Sequence, residues 1–230
     1  MLTRVINKIN QLRGHEPVPA DEGPVPKEYV AGFLPANPVV VEAGAFDGSD
    51  TLQMARQWPT GHIHAFEPVP GNFAELQRRT KGLRNVTTYN MGLGDRNGEL
   101  DLHLSGGMSK ESSSFLPPKE HLRLHPKVDF GQVVKARMTT LDQWAQDQRA
   151  KAIDFLWLDM QGYEPLALRS ATTALKSVRA ILTEINLVEM YAGAVLYPEY
   201  KAFLMGQGFV VEREHIPDSV GLAFFIRKGS

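Results

Sequence analysis

The stretch Val39-Val-Val-Glu-Ala-Gly-Ala-Phe-Asp-Gly-Ser-Asp-Thr51 leads from an apolar run into Glu42, turns through Gly44 and Gly48, and enters a helical pattern. Glycines at such a turn let the backbone pass close to a ligand, and the first strand-to-helix crevice is where a doubly wound sheet takes nucleosides. The dinucleotide fingerprint G-x-G-x-x-G is missing, because Ala45, Phe46 and Asp47 separate the two glycines, and no lysine stands near the turn to hold a phosphate. A carboxylate at the strand tip repels an anion but accepts hydrogen bonds from an ammonium group. The turn therefore suits a cationic nucleoside ligand.

A second carboxylate follows at the end of His64-Ala-Phe-Glu67-Pro68, about 20 residues beyond the turn, where such folds bind ribose hydroxyls. Glu67 is thus the expected ribose ligand, and the two acidic strand tips together suggest an adenosyl group with an amino-acid tail. Asp159 ends a third apolar run and precedes Gly162, Glu164 and Pro165, which places it at the same crevice as a candidate general base. Glu184 ends the next run on the same edge and is a second catalytic candidate. Asp159, Glu164 and Glu184 could hold a divalent cation, although Glu164 could equally complement a helix N-terminus. No H-E-x-x-H zinc pattern occurs. His121 and His125, with Leu122 and Leu124 between them, read as surface residues that become acid-base groups if a cover closes, and His125 is the third catalytic candidate. Ser112, Ser113 and Ser114 could touch a ligand, and Tyr191 and Tyr197 could stack on a sugar ring.

These residues require a parallel sheet to gather them. Val39–Glu42, His62–Phe66 and Ile153–Leu158 read as buried strands, with helical patterns at Thr51–Trp58 and Asn72–Arg79. Val86–Asn90 reads as a further strand, Glu99–Leu104 as a half-buried edge strand behind the Asn97-Gly98 turn, and Val133–Met138 as another strand. Helices are expected at Leu141–Gln148 and Leu166–Lys176, and a fifth central strand at Ala180–Ile185. Phe209–Glu214 and Leu222–Arg227 read as a closing antiparallel pair. The Gly-, Ser- and Pro-rich stretch Ser105–Pro126 shows little periodicity and is expected to be a structureless lid.

Composition bounds the rest. At 230 residues the chain fits one domain, here 39–230, preceded by a helical extension over 1–38. In that extension Leu2, Val5, Ile6, Ile9 and Leu12 mark an amphipathic helix expected to pack on the domain or to mediate a homodimer, and a short second helix is expected around Lys27 to Leu34. No secretory leader or transmembrane segment is expected. Lys plus Arg is 25 against 26 Asp plus Glu, which gives no case for nucleic acid as a partner. The chain has no cysteine, which removes disulfides, thiolate zinc, iron-sulfur clusters and thiol nucleophiles, and fits a cytoplasmic setting.

From Val39 to Lys228 the chain resembles the FkbM-type methyltransferases. The resemblance rests on Glu42-Ala-Gly-Ala-Phe-Asp-Gly, Ala65-Phe-Glu-Pro-Val-Pro-Gly-Asn-Phe, Asn90-Met-Gly-Leu-Gly-Asp, Thr139-Thr-Leu-Asp, Leu158-Asp-Met-Gln-Gly-Tyr-Glu and Leu182-Thr-Glu-Ile. It implies a class I, Rossmann-like three-layer sandwich with a mostly parallel seven-stranded sheet and an antiparallel last strand. It also implies S-adenosylmethionine as methyl donor and O-methylation of a sugar or related small molecule. The expected cofactor cradle is Glu42, Ala43, Gly44, Ala45, Asp47, Gly48, Thr51, Glu67, Pro68, Asn72, Gly92 and Asp159. Two positions depart from the family pattern: Phe46 stands where asparagine is usual, and Gln161 where glutamate is usual. Those departures keep a catalytically inactive binding protein as one rival, and a nicotinamide-dependent oxidoreductase is the other.

Overall fold

The computed structural model describes residues 25–150 and 152–229. The amphipathic helix expected at the N-terminus lies outside them. The main sheet has seven strands in the order β3-β2-β1-β7-β8-β10-β9. They are β1 (Val39–Ala43), β2 (His62–Phe66), β3 (Val86–Tyr89), β7 (Phe155–Leu158), β8 (Ala180–Asn186), β9 (Phe209–His215) and β10 (Val220–Arg227). β1 pairs in parallel with both β2 and β7, and β7 in parallel with β8, whereas β10 runs antiparallel between β8 and β9. This is the expected class I methyltransferase sheet with its last strand reversed.

Successive residues of a strand point to opposite faces, so a sheet covered on both sides must be apolar throughout. Val40, Phe155, Leu182 and Phe224 face one layer, formed by α1 (Lys27–Ala31) and α2 (Ser49–Gln57). Val41, Leu156, Ile181 and Phe225 face the other, formed by α5 (Leu141–Asp147), α6 (Glu164–Ser170) and α7 (Tyr197–Gly206). α3 (Pro70–Thr80) inserts Leu76 against Ala45 and Ala65. Val25 and Val30 belong to the first layer's core, so the described part of the N-terminal extension packs directly on the sheet. Among the described residues no helix is long and apolar enough to cross a membrane.

Glu99–Leu104 is an edge strand as expected, and the sheet it borders is a separate one: it lies within β5 (Gly98–Gly107), which pairs with β6 (Val128–Thr140) in the order β4-β6-β5, β4 being Gly92–Gly94. Two sequence expectations need correction. The helix expected over Leu166–Lys176 stops at Ser170 and resumes as a 3-10 turn at Ala174–Ser177, because Asp142 accepts the Thr173 and Ala174 amides at that start. Ser105–Pro126 is not structureless. Ser114 exchanges two backbone hydrogen bonds with His103, Ala192 donates to Pro117, and Glu120–Leu124 forms the short helix α4. The segment is a strap tied down at several points.

Candidate functional site

The tips of β1, β2 and β7 meet at one cleft. After Ala43 the chain must turn sharply, since the Gly44 and Ala45 amides both donate to the Phe66 carbonyl while the Asp159 amide donates to Ala43. Gly44 has φ +87°, and a Cβ there would lie 1.7 Å from the Asp159 carbonyl oxygen, so no larger residue fits. Phe46 also adopts a left-handed φ of 48°. Asparagine tolerates that conformation better than a bulky residue does, which explains the family's usual choice at this position. The strained turn is held because the Phe46 amide donates to Glu67 Oε2 at 2.8 Å.

Glu67 is 4% exposed and accepts the Val69 amide on its other oxygen at 2.8 Å. Burial pushes its pKa up to about 7, against the lowering effect of those two amides and of Asn72. The two amides and Asn72 use three of the four acceptor positions of the carboxylate, which leaves one for a hydroxyl donor. Glu67 lines the cleft together with Ala43, Gly44, Ala45, Asp47, Pro68, Asn72, Gly92 and Asp159, nine of the expected cradle residues in one place.

Glu42, Gly48 and Thr51 are not on that lining. Glu42 is 1% exposed and accepts the Thr51 hydroxyl at 2.5 Å, so the pair sits within the protein behind the turn; burial raises the Glu42 pKa to about 8. Gly48 serves packing, since a Cβ there would meet Leu76 at 2.8 Å. Glu42, expected from sequence to meet a ligand ammonium group, therefore stands one layer behind the cleft surface.

At the β7 and β8 tips three carboxylates converge. Asp159, Glu164 and Glu184 each offer an oxygen, and those atoms lie within 4.8 Å of one another. Glu164 opens α6, where its Oε1 accepts the Met160 amide at 2.6 Å, while its buried Oε2 has no partner. Gln161 stands between the other two: its Nε2 donates to Asp159 Oδ1 at 2.7 Å and to Glu184 Oε2 at 2.9 Å. Asp159 keeps solvent contact at the cleft, yet protein encloses it on its other sides, so burial raises its proton affinity. Glu184 is pushed well above the usual range by burial and by the charges of Asp159 and Glu164. Of this pair Glu184 is the more enclosed, so burial disfavours its charged form the more strongly.

The strap and the second sheet form the opposite wall. Gly92, Leu93, Leu102, Lys110, Glu111, Ser113 and Phe115 all line the cleft, and of these only Gly92 and, in part, the serines were singled out from sequence. Their apolar and polar types carry no spacing signature, so nothing in the sequence marks them. His125 is exposed and is not on the lining. His121, expected at the surface, is 5% exposed and packs against His125, Phe130 and Tyr191. Tyr191 and Tyr197, 1% and 3% exposed, are core residues off the cleft, so stacking on a sugar ring is not available to them. Tyr197 instead bonds Glu214.

Comparisons with known proteins agree with this arrangement. Residues 42–211 match the model of the methyltransferase FkbM domain. The chain is 30% identical over 174 residues to the 2-O-methyltransferase NoeI of Sinorhizobium fredii, covering 74% of this chain and 72% of that protein. It is 28% identical over 211 residues to the methyltransferase sdnD of Sordaria araneosa, covering 81% and 79%. Among solved structures, the methyltransferase FkbM from Methylobacillus flagellatus superposes with a TM-score of 0.53 at 15% identity, over 85% of this chain and 45% of that one. A Methanococcus jannaschii fibrillarin superposes at 0.50 with 14% identity, over 85% and 68%. At such identities these two likenesses speak for the fold alone.

Proposed function

The chain belongs to the FkbM methyltransferase family, and from that membership we propose that this S-adenosylmethionine-dependent enzyme methylates a hydroxyl of a sugar or related small molecule. The observation that carries the reading is that Glu67 and Asp159, from the tips of β2 and β7, line one cleft on either side of the Gly44 turn. The residues fit the cofactor. Gly44 leaves backbone exposed where a side chain would block it, and Glu67 has one acceptor position left to receive a ribose hydroxyl. Of the acidic side chains on the lining, Asp47 and Asp50 are paired with Arg79 and Lys27, which leaves Glu67, Glu111 and Asp159 against Lys110 to favour a ligand with positive charge.

When bound, S-adenosylmethionine supplies an electrophilic methyl group on a sulfonium. Asp159 then has two tasks, orienting the acceptor hydroxyl in line with that methyl and taking its proton as the oxygen becomes an ether. Glu184, more enclosed and with its proton affinity raised by burial and by its acidic neighbours, is set one step back from the cleft behind Asp159. The relative NoeI is named a 2-O-methyltransferase, which supports oxygen as the accepting atom. The acidic lining favours a neutral polyhydroxyl acceptor over a phosphate-bearing one.

A divalent cation at Asp159, Glu164 and Glu184 is the second reading, favoured by the unpartnered Glu164 Oε2. The Gln161 amide already bridges Asp159 and Glu184 and would have to withdraw. Calorimetric titration with S-adenosylhomocysteine and separately with NAD, followed by transfer of labelled methyl to a panel of neutral sugars, tests the proposal. Binding of NAD alone would replace it with the oxidoreductase; binding of S-adenosylhomocysteine without turnover on any acceptor would favour the inactive binding protein.

A further inference from the structure

Gln161 makes more contacts than a loop residue next to a strand tip requires. Its φ is 54°, a conformation that L residues seldom adopt, and it is maintained from several sides. On the site side its Nε2 reaches Asp159 and Glu184. On the strap side its backbone carbonyl accepts the Ser114 hydroxyl at 2.9 Å. Its Oε1 lies 2.8 Å from the Tyr191 hydroxyl, which is equally close to the Ser112 carbonyl. With its nitrogen toward the two carboxylates, the amide presents Oε1 to the Tyr191 hydroxyl, whose single proton faces both that oxygen and the Ser112 carbonyl. Tyr191 is itself fixed, 1% exposed and packed with Met190 and Ala194.

We propose that Gln161 is a positioning residue through which the strap, by way of Ser112, Ser114 and Tyr191, sets the orientation of the Asp159 carboxylate. The inference rests on the reading of Asp159 as the proton acceptor. An unrestrained carboxylate can rotate about its side-chain torsions, and losing an oriented contact of this kind costs rate rather than ground-state binding. The strap thereby covers the cleft and also aims the base beneath it. Neither Tyr191 nor Gln161 lines the cleft, so both act at one remove from acceptor and cofactor.

A double-mutant cycle tests this. Tyr191→Phe removes one hydroxyl and keeps the ring packing; it should lower kcat about 10-fold, with the acceptor KM and the affinity for S-adenosylhomocysteine within about 2-fold of wild type. Gln161→Ala should lower kcat about 100-fold, and the double variant should be no slower than Gln161→Ala alone, because Tyr191 acts through Gln161. Additive losses, or a Tyr191→Phe variant with full kcat, would overturn the proposal. The clamp is also read without turnover: the side-chain amide resonances of Gln161, identified by their loss in Gln161→Ala, should move in Tyr191→Phe. If wild type methylates no acceptor but those resonances move, the functional reading fails and the clamp stands; if they do not move, the clamp itself is wrong.

Discussion

Gly44 and Asp159 pack backbone against backbone, with the carbonyl oxygen of Asp159 at the place a Cβ of residue 44 would occupy, 1.7 Å away. The Gly44 turn and the β7 tip at Asp159 are therefore fixed by one contact. Gly44→Ala must push β1 and β7 apart at the cleft and is expected to abolish S-adenosylhomocysteine binding in titration. Gly82 provides the control: its φ of 85° is nearly the same, but nothing lies within 4 Å. Gly82→Ala should cost only the left-handed strain, about 1–2 kcal/mol by denaturant unfolding, and leave binding intact.

Glu67 holds the strained Phe46 turn and faces the cleft, where the proposed reading has it receive a ribose hydroxyl. Glu67→Gln keeps the size and one acceptor oxygen but loses the charge. It should weaken S-adenosylhomocysteine binding by about 1.5–3 kcal/mol, roughly 10- to 150-fold, measured by calorimetry. A folded variant with unchanged affinity would remove Glu67 from the cofactor site.

Asp159→Asn should separate turnover from binding. Loss of general-base assistance is typically worth about 10²- to 10⁴-fold in kcat, whereas the contacts of Glu67 and the Gly44 turn remain. Stopped-time assays with labelled methyl donor measure the first, and titration with S-adenosylhomocysteine the second. Because Asp159 must be ionised and its pKa is raised, wild-type kcat should climb with pH through values above the ordinary aspartate range. A chelator that abolishes wild-type activity, with recovery on adding magnesium, would favour the cation reading instead.

Glu42 gives a pH dependence of stability. Its pKa is raised by burial to about 8, so the folded state binds its proton more tightly than the unfolded chain does. Its contribution is fully present below the unfolded value near 4.5 and is lost as pH rises through about 8. Glu42→Gln cannot ionise and still accepts the Thr51 hydroxyl. The Tm of this variant relative to wild type should therefore increase from pH 5 to about pH 8 and then level off; a constant difference would show that the Glu42 pKa is not raised.

Much of the nucleoside half of the cleft could be read from sequence, because it lies where local pattern and topology coincide. Val39–Ala43 and His62–Phe66 are short apolar strands ending at acidic residues, and parallel pairing brings their tips together. The other half obeys no such rule. Gly92–Gly94 has no side-chain pattern that announces a strand, and Glu99–Leu104 alternates as an edge strand of any sheet would. The strap is ordered by individual bonds such as Ser114 to Gln161 and Tyr191 to Ser112, between residues far apart in the chain. Phe46 and Gln161 were visible as unusual residues, but their positive φ angles, which give the oddity a physical meaning, belong to the folded turns.

One wall of the cleft is an excursion: residues 92–140 leave the main sheet after β3, build their own sheet, and return at α5 before β7 resumes the pairing. That excursion carries Gly92, Lys110, Glu111 and Phe115 to the cleft, whereas Glu67 and Asp159 reach it from the main sheet, so two sheets that share no strand pairing enclose one space. Gln161 is the seam between them, since Ser114 of the excursion donates to its backbone carbonyl while its side-chain amide reaches Asp159 and Glu184 on the main sheet.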